Sequence, residues 1–175
     1  MQNIFSYPLI VDELSAGEKR YNISATAEQC DCISEALQIP AIKKLNAVIY
    51  IKLSLKEHKL NVWGDVKSSL TLESVISLEK FDKNLNVNFE LLFDTKMTRD
   101  EQKILEETTD NVPDIITGGK IDLADIIIEQ IALNLDDHPR KHGEKFSFSP
   151  EFDPKEPIYE NPFKVLEKLK KINKP

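Results

Sequence analysis

The sequence predicts an α+β domain: a twisted antiparallel sheet flanked by a few helices, followed by a partly irregular C-terminal tail that ends in a short helix. Three observations predict it. Apolar residues alternate with polar ones through residues 45–72 and again through 85–93, the period of half-buried strands. These strands follow one another with no helical pattern between them, which favours antiparallel pairing. Residues 123–135 instead repeat their apolar positions at helical spacing. At 175 residues the chain fits one ordinary domain with length to spare, and we place that domain at 1–145 and the tail at 146–175.

Residues 1–21 read as an extended lead-in, with Phe5, Pro8, Leu9, Ile10 and Val11 able to supply an edge strand. A short helix follows. Ser24 or Thr26 can cap it, Glu28 sits in its first turn, Ile33, Ala36 and Leu37 form its apolar stripe, and Pro40 ends it. Ala47, Ile49, Ile51, Leu53 and Leu55 then alternate with polar neighbours, as do Leu60, Val62, Val66 and Leu70. A turn at Glu57-His58 predicts a hairpin pairing 55 with 60, 53 with 62 and 49 with 66, so that apolar residues oppose one another. That register sets Lys52 opposite Trp63 and Tyr50 opposite Asp65. Leu85, Val87, Phe89, Leu91 and Phe93 predict another strand.

Residues 94–120 read as a long polar connection rich in acids, ending at Gly118-Gly119. A helix runs from Leu123 to about Leu135: Asp122 can cap it, Asp125 suits its positive end, and Leu123, Ile127, Ile131 and Leu135 share a face. Pro139, Pro150, Pro154 and Pro157 predict irregular chain. The last helix starts at Asn161-Pro162, with Phe163, Leu166 and Leu169 on one face and a run of lysines on the other.

Composition narrows the function. Lys and Arg number 23 against 30 Asp and Glu, a formal net charge of −7. Phosphate neutralisation dominates nucleic-acid affinity, so this balance favours a basic partner, although a local basic patch can still exist. No stretch reaches the roughly 20 apolar residues of a membrane helix. The first residues lack the basic and apolar regions of a secretory signal. Cys30 and Cys32 are too few for a disulfide framework and suit a reducing compartment, so cytoplasm is the expected location.

Little in the chain points to catalysis or cofactors. Residues two apart on a helix face nearly opposite ways, so Cys30 and Cys32 read as ordinary helix residues rather than metal ligands. His138 and His142 are four apart, but Pro139 and Gly143 argue against a helix there, and no metal is expected. There is no nucleophile elbow and no Gly-rich phosphate loop among only five glycines. The expectation is a non-enzyme with no cofactor and no small-molecule substrate. Two surfaces remain. One is acidic: Asp100, Glu101, Glu106 and Glu107 in the polar connection, with Asp122, Asp125 and Glu129 on the helix after it. The other is the less apolar hairpin face, where Tyr50, Lys52, Trp63 and Lys67 interleave rings and charges suited to nucleobases. The same pattern also serves plain cross-strand stabilisation.

Three stretches resemble the YceD family of large ribosomal RNA subunit accumulation proteins. They are Gly64-Asp65-Val66 running into Leu70-Thr71-Leu72-Glu73, the helix from Ile121-Asp122-Leu123-Ala124-Asp125 to Leu135, and Asn161-Pro162-Phe163-Lys164-Val165-Leu166-Glu167-Lys168-Leu169-Lys170. The chain departs from the family in one place: Ser74 and Ser77 stand where many members carry a Cys-x-x-Cys pair. The resemblance implies a non-enzymatic factor supporting large-subunit ribosomal RNA, with a basic ribosomal protein as the expected partner. The competing expectations are direct contact with large-subunit ribosomal RNA through Tyr50, Lys52, Trp63 and Lys67, and a generic protein-interaction domain.

Overall fold

A five-stranded sheet in the order β2-β3-β4-β5-β6 organises the molecule. The computed structural model describes residues 5–15, 17–109 and 112–145; the tail, with Asn161, Pro162, Phe163, Leu166 and Leu169, lies outside the described residues. In chain order the elements are β1 (Pro8–Ile10), β2 (Gly17–Ser24), α1 (Ala27–Ala36), β3 (Ala41–Ser54), β4 (Lys59–Glu73) and β5 (Lys80–Asp94). Then come α2 (Arg99–Glu106), β6 (Asp114–Ile115), β7 (Lys120–Asp122) and α3 (Leu123–Leu133). The predicted α+β class is the observed one. Strands β2 to β5 pair antiparallel, β6 adds to β5 in parallel, and β1 pairs antiparallel with β7 in a separate two-stranded sheet.

The alternation seen in the sequence becomes two faces of unlike chemistry. Leu45, Ala47, Ile49, Ile51 and Leu53 of β3 and Leu60, Val62, Val66, Leu70 and Leu72 of β4 are buried. Against this inner face pack Cys30 and Ile33 of α1 and Leu123, Ile127 and Ile131 of α3, closing one core. The outer side chains of β3 and β4 are half-buried or exposed.

The hairpin register differs from the expectation. Leu53 pairs with Leu60, Ile51 with Val62 and Ile49 with Gly64, a slip of two residues. Residues 55–58 form a four-residue turn in which His58 takes a positive φ of 54°, and Leu55, outside the ladder, is 62% exposed. A slip of two keeps every side chain on its predicted face but changes its neighbours. Tyr50 therefore faces Trp63, and Lys52 faces Asn61.

Three other expectations change. The lead-in contains a full strand, β2, which pairs along β3 from Gly17↔Leu53 to Ser24↔Asn46. Ser24 thus belongs to a strand, and Thr26 caps α1 in a reciprocal box with Gln29. The apolar stripe of α1 uses Cys30 and Ile33, with Leu37 packed beside them, whereas Ala36 faces solvent. The polar connection folds in part into α2, started by a second box in which Glu101 accepts from the Thr98 amide at 2.8 Å.

Candidate functional site

Three places on this scaffold gather chemistry. The first is the outer sheet face, where the ladder lines up Arg20, Tyr50, Trp63 and Glu90 across four strands. The Tyr50 and Trp63 rings stack with centroids 5.7 Å apart and planes 13° from parallel. The Arg20 guanidinium lies 5.7 Å from the Tyr50 centroid, within cation–π range. Both broad faces of Tyr50 are therefore occupied by protein groups, and one face of Trp63 is covered. Lys52 is exposed in the neighbouring row, and Lys67 is exposed two rows away on the other side, beyond Asp65. The slip in register thus brings Tyr50 and Trp63 together as a stacked cross-strand pair.

The second place is a cleft of about 480 Å³ where β5 and β6, the chain from 116 to 122 and α3 meet. Leu91, Phe93, Ile116 and Ile126 supply its apolar lining, and Asp114, Asp122, Asp125 and Glu129 face Arg99 and Lys120 around it. Asp125 and Glu129, one turn apart on α3, are both exposed, as is Asp114. Asp122 is already engaged: its carboxylate accepts from the Ser6 hydroxyl at 2.5 Å, the Tyr7 amide at 2.7 Å and the Ala124 amide at 2.9 Å. It caps α3 and ties β1 to it. On α2, Arg99 and Gln102 border the cleft, and the Gln102 amide donates to the Pro113 carbonyl at 3.2 Å. Asp100, Glu106 and Glu107 are exposed on that helix outside the cleft. Glu101 serves its capping box, where the Thr98 amide and hydroxyl hold its carboxyl below the usual carboxylate range.

The third place is the turn joining β4 to β5. Ser74 is fully buried, and its hydroxyl donates to Glu144; the Ser77 hydroxyl donates to the other oxygen of the same carboxylate at 2.5 Å. The Val75 amide donates to the Pro139 carbonyl at 2.9 Å, and Lys141 pairs with Glu79 at 2.8 Å. One carboxylate thus clasps the two serines and joins the β4–β5 turn to the chain after α3. His138 and His142 lie near this clasp in sequence, in irregular chain. Among the described residues no group of three His, Cys, Asp or Glu side chains is placed to hold a metal. Burial, with Asp31 beside it, pushes the Cys30 thiol up, away from the reactive thiolate.

The clasp gives a pH-dependent signature. The two serine hydroxyls hold the Glu144 carboxyl below its ordinary range. A lowered folded-state value means the contribution to stability is complete above the ordinary carboxylate range and is lost as pH falls through the folded value. Glu144→Gln should therefore flatten the acid limb of the stability–pH curve, measured by urea unfolding from neutral pH to about pH 3. Curves that stay parallel would remove Glu144 from that role.

The cleft sets Asp125 and Glu129 beside Asp114 of the acidic connection, whose place there depends on the short parallel strand β6. Sequence reasoning missed Glu144, since nothing local in Lys141-His142-Gly143-Glu144 announces a partner 70 residues away.

Among the described residues, no helix is long and apolar enough to cross a membrane. No curated protein and no solved structure matches the chain. Residues 62–170 match the family described as large ribosomal RNA subunit accumulation protein YceD. That span takes in most of β4, the serine turn, the acidic cleft and α3, together with most of the tail. It is more than half of the sequence, and the chain belongs to the YceD family.

Proposed function

We propose that this protein supports large ribosomal RNA accumulation without catalysing a reaction, by holding a basic segment of a ribosomal protein in the cleft beside α3. The observation that carries the reading is the pairing of an apolar lining with an acidic rim, Asp114, Asp125 and Glu129, in one open cleft. A segment rich in Lys and Arg has long aliphatic stems that suit the lining and charged ends that suit the rim. Asp100, Glu106 and Glu107 on the bordering helix extend the acidic field and would steer such a partner. The net charge of −7 acts in the same direction.

The test uses the tagged full chain, captured from lysate with and without RNase, beside the Asp125→Lys/Glu129→Lys variant. A basic large-subunit protein should be recovered in both treatments by the wild type. The double variant should lose about tenfold in affinity, mostly through slower association, with a weaker salt dependence. Recovery of ribosomal material only without RNase, or equal capture by the variant, would refute the cleft as the binding site.

A further inference from the structure

We propose that the outer face of the sheet carries a second, separate site: a groove for the phosphate backbone of single-stranded RNA, built around Lys44, Lys67, Asn84 and Asn86. The ladder sets Ser24, Asn46, Lys67 and Asn86 in one row and Lys44, Ser69 and Asn84 in the next. Between them runs a groove of about 290 Å³ whose lining contains two lysines, three asparagines and two serines and no carboxylate. In a chain of net charge −7, a groove without acids is a local reversal of sign.

The surrounding bonds explain how the reversal is maintained. The ladder shifts between Ile42 and Lys44, so Lys43 is an extra residue on β3. Lys43 pairs with Asp82 at 2.5 Å, and the Thr71 hydroxyl donates to the same carboxylate at 3.0 Å. These partners hold the Asp82 carboxyl below its ordinary range and occupy the acid that borders the groove on that side. Asp65 borders the other side, one row beyond Lys67. Lys44 and Lys67 form no ion pair among the described residues and are exposed. The Ser24 hydroxyl donates to the Asn46 carbonyl oxygen at 3.0 Å, which leaves the Asn46 amide hydrogens for an acceptor.

These groups match a polyanion with hydrogen-bonding edges. Lysine ammoniums act as point charges toward successive phosphates, and diagonal neighbours such as Lys44 and Lys67 stand about 7–8 Å apart at the backbone. Asparagine side chains both donate and accept, so they suit ribose hydroxyls and base edges of an unpaired strand. A double helix would demand more basic surface than two lysines provide. An acidic protein segment would find charges here but no apolar lining to anchor it. The Tyr50–Trp63 stack lies outside this groove and takes no part.

The test titrates the full chain into a fluorescently labelled single-stranded oligoribonucleotide of mixed sequence at several salt concentrations. Lys44→Glu/Lys67→Glu should weaken binding at least tenfold. Lys44→Gln/Lys67→Gln, which keeps side-chain bulk, should weaken it less and lower the salt slope by about 1.4, the share of two single-strand phosphates. Asn84→Ala/Asn86→Ala should also weaken it, and Trp63→Ala should leave it within about twofold where circular dichroism shows the fold intact. No binding by the wild type would overturn the proposal. So would binding that survives both lysine pairs, which would move it to the lysines of 164–174, or loss only in Trp63→Ala, which would restore base stacking.

Discussion

Gly64→Ala should cost about 3 kcal/mol or more, a large share of the 5–15 kcal/mol that stabilises a typical domain. The reason is space in the backbone itself. A Cβ on Gly64 would lie 2.2 Å from the Val48 carbonyl oxygen and 3.0 Å from the Ile49 Cα. Neither is the end of a flexible side chain that can swing away. Both belong to β3, whose ladder with β4 is fixed on either side by Ile51↔Val62 and Ala47↔Val66. Relief therefore requires separating the two central strands where Ile49, Val62 and Val66 are all buried. Gly17 is the control: its φ of 118° disfavours a side chain, yet nothing lies within 4 Å of a Cβ there. Gly17→Ala should cost only about 1 kcal/mol, the conformational penalty alone. Urea unfolding of both variants checks the comparison, and a Gly64→Ala protein as stable as Gly17→Ala would sink the steric account.

Gly64 also shows what the sequence could and could not disclose. Its place within a strand pattern was visible, but its partner was not, because the hairpin register depends on a turn read from weak signals. Glu57-His58 suggested two residues, and Leu55 was counted into the ladder because it is apolar. The observed turn spends Leu55 on solvent and lets His58 adopt a positive φ. Period-2 alternation fixes which face a residue occupies and is blind to slips of two. The face of each ladder residue in β3 and β4 was consequently legible, with Leu55 the exception, whereas the Tyr50–Trp63 contact was not.

Other omissions have equally local causes. Strand β2, Gly-Glu-Lys-Arg-Tyr-Asn-Ile-Ser, is an edge strand with few apolar residues, Tyr21 and Ile23 among them, and its order comes from pairing with β3. Helix α2 buries no residue, so its apolar signal is weak; Thr98 and Glu101, three apart, were the readable clue. Asp125 and Glu129 stand one turn apart on α3, a shared face that helical spacing makes readable. The cleft they border was hidden because β6 and β7 are two and three residues long, too short to leave a periodic trace.

Asp122→Ala should destabilise the protein by about 2–4 kcal/mol, and this loss should come from the fold rather than from partner contact. Three donors converge on that carboxylate: the Ser6 hydroxyl, the Tyr7 amide and the Ala124 amide. The last is the cap of α3, whose loss alone typically costs about 1 kcal/mol. The other two hold the start of the chain, where Phe5 is buried and the Tyr7 carbonyl accepts from the Leu123 amide at 3.0 Å. Removing the carboxylate therefore frays β1 from β7 as well as the first turn of α3. Asp122→Asn keeps one acceptor oxygen and should recover about half of the loss, since asparagine caps nearly as well. Asp122 differs in this from Glu129, where charge removal should leave stability within about 0.5 kcal/mol, as expected of an exposed surface position. Thermal unfolding of the three variants, set beside their capture of a basic ribosomal protein, separates the two roles. If Asp122→Ala kept full stability but lost the partner, its carboxylate would belong to the binding surface. If Glu129→Gln lost stability as Asp122→Ala does, the acidic rim would be part of the scaffold rather than a surface kept for a partner.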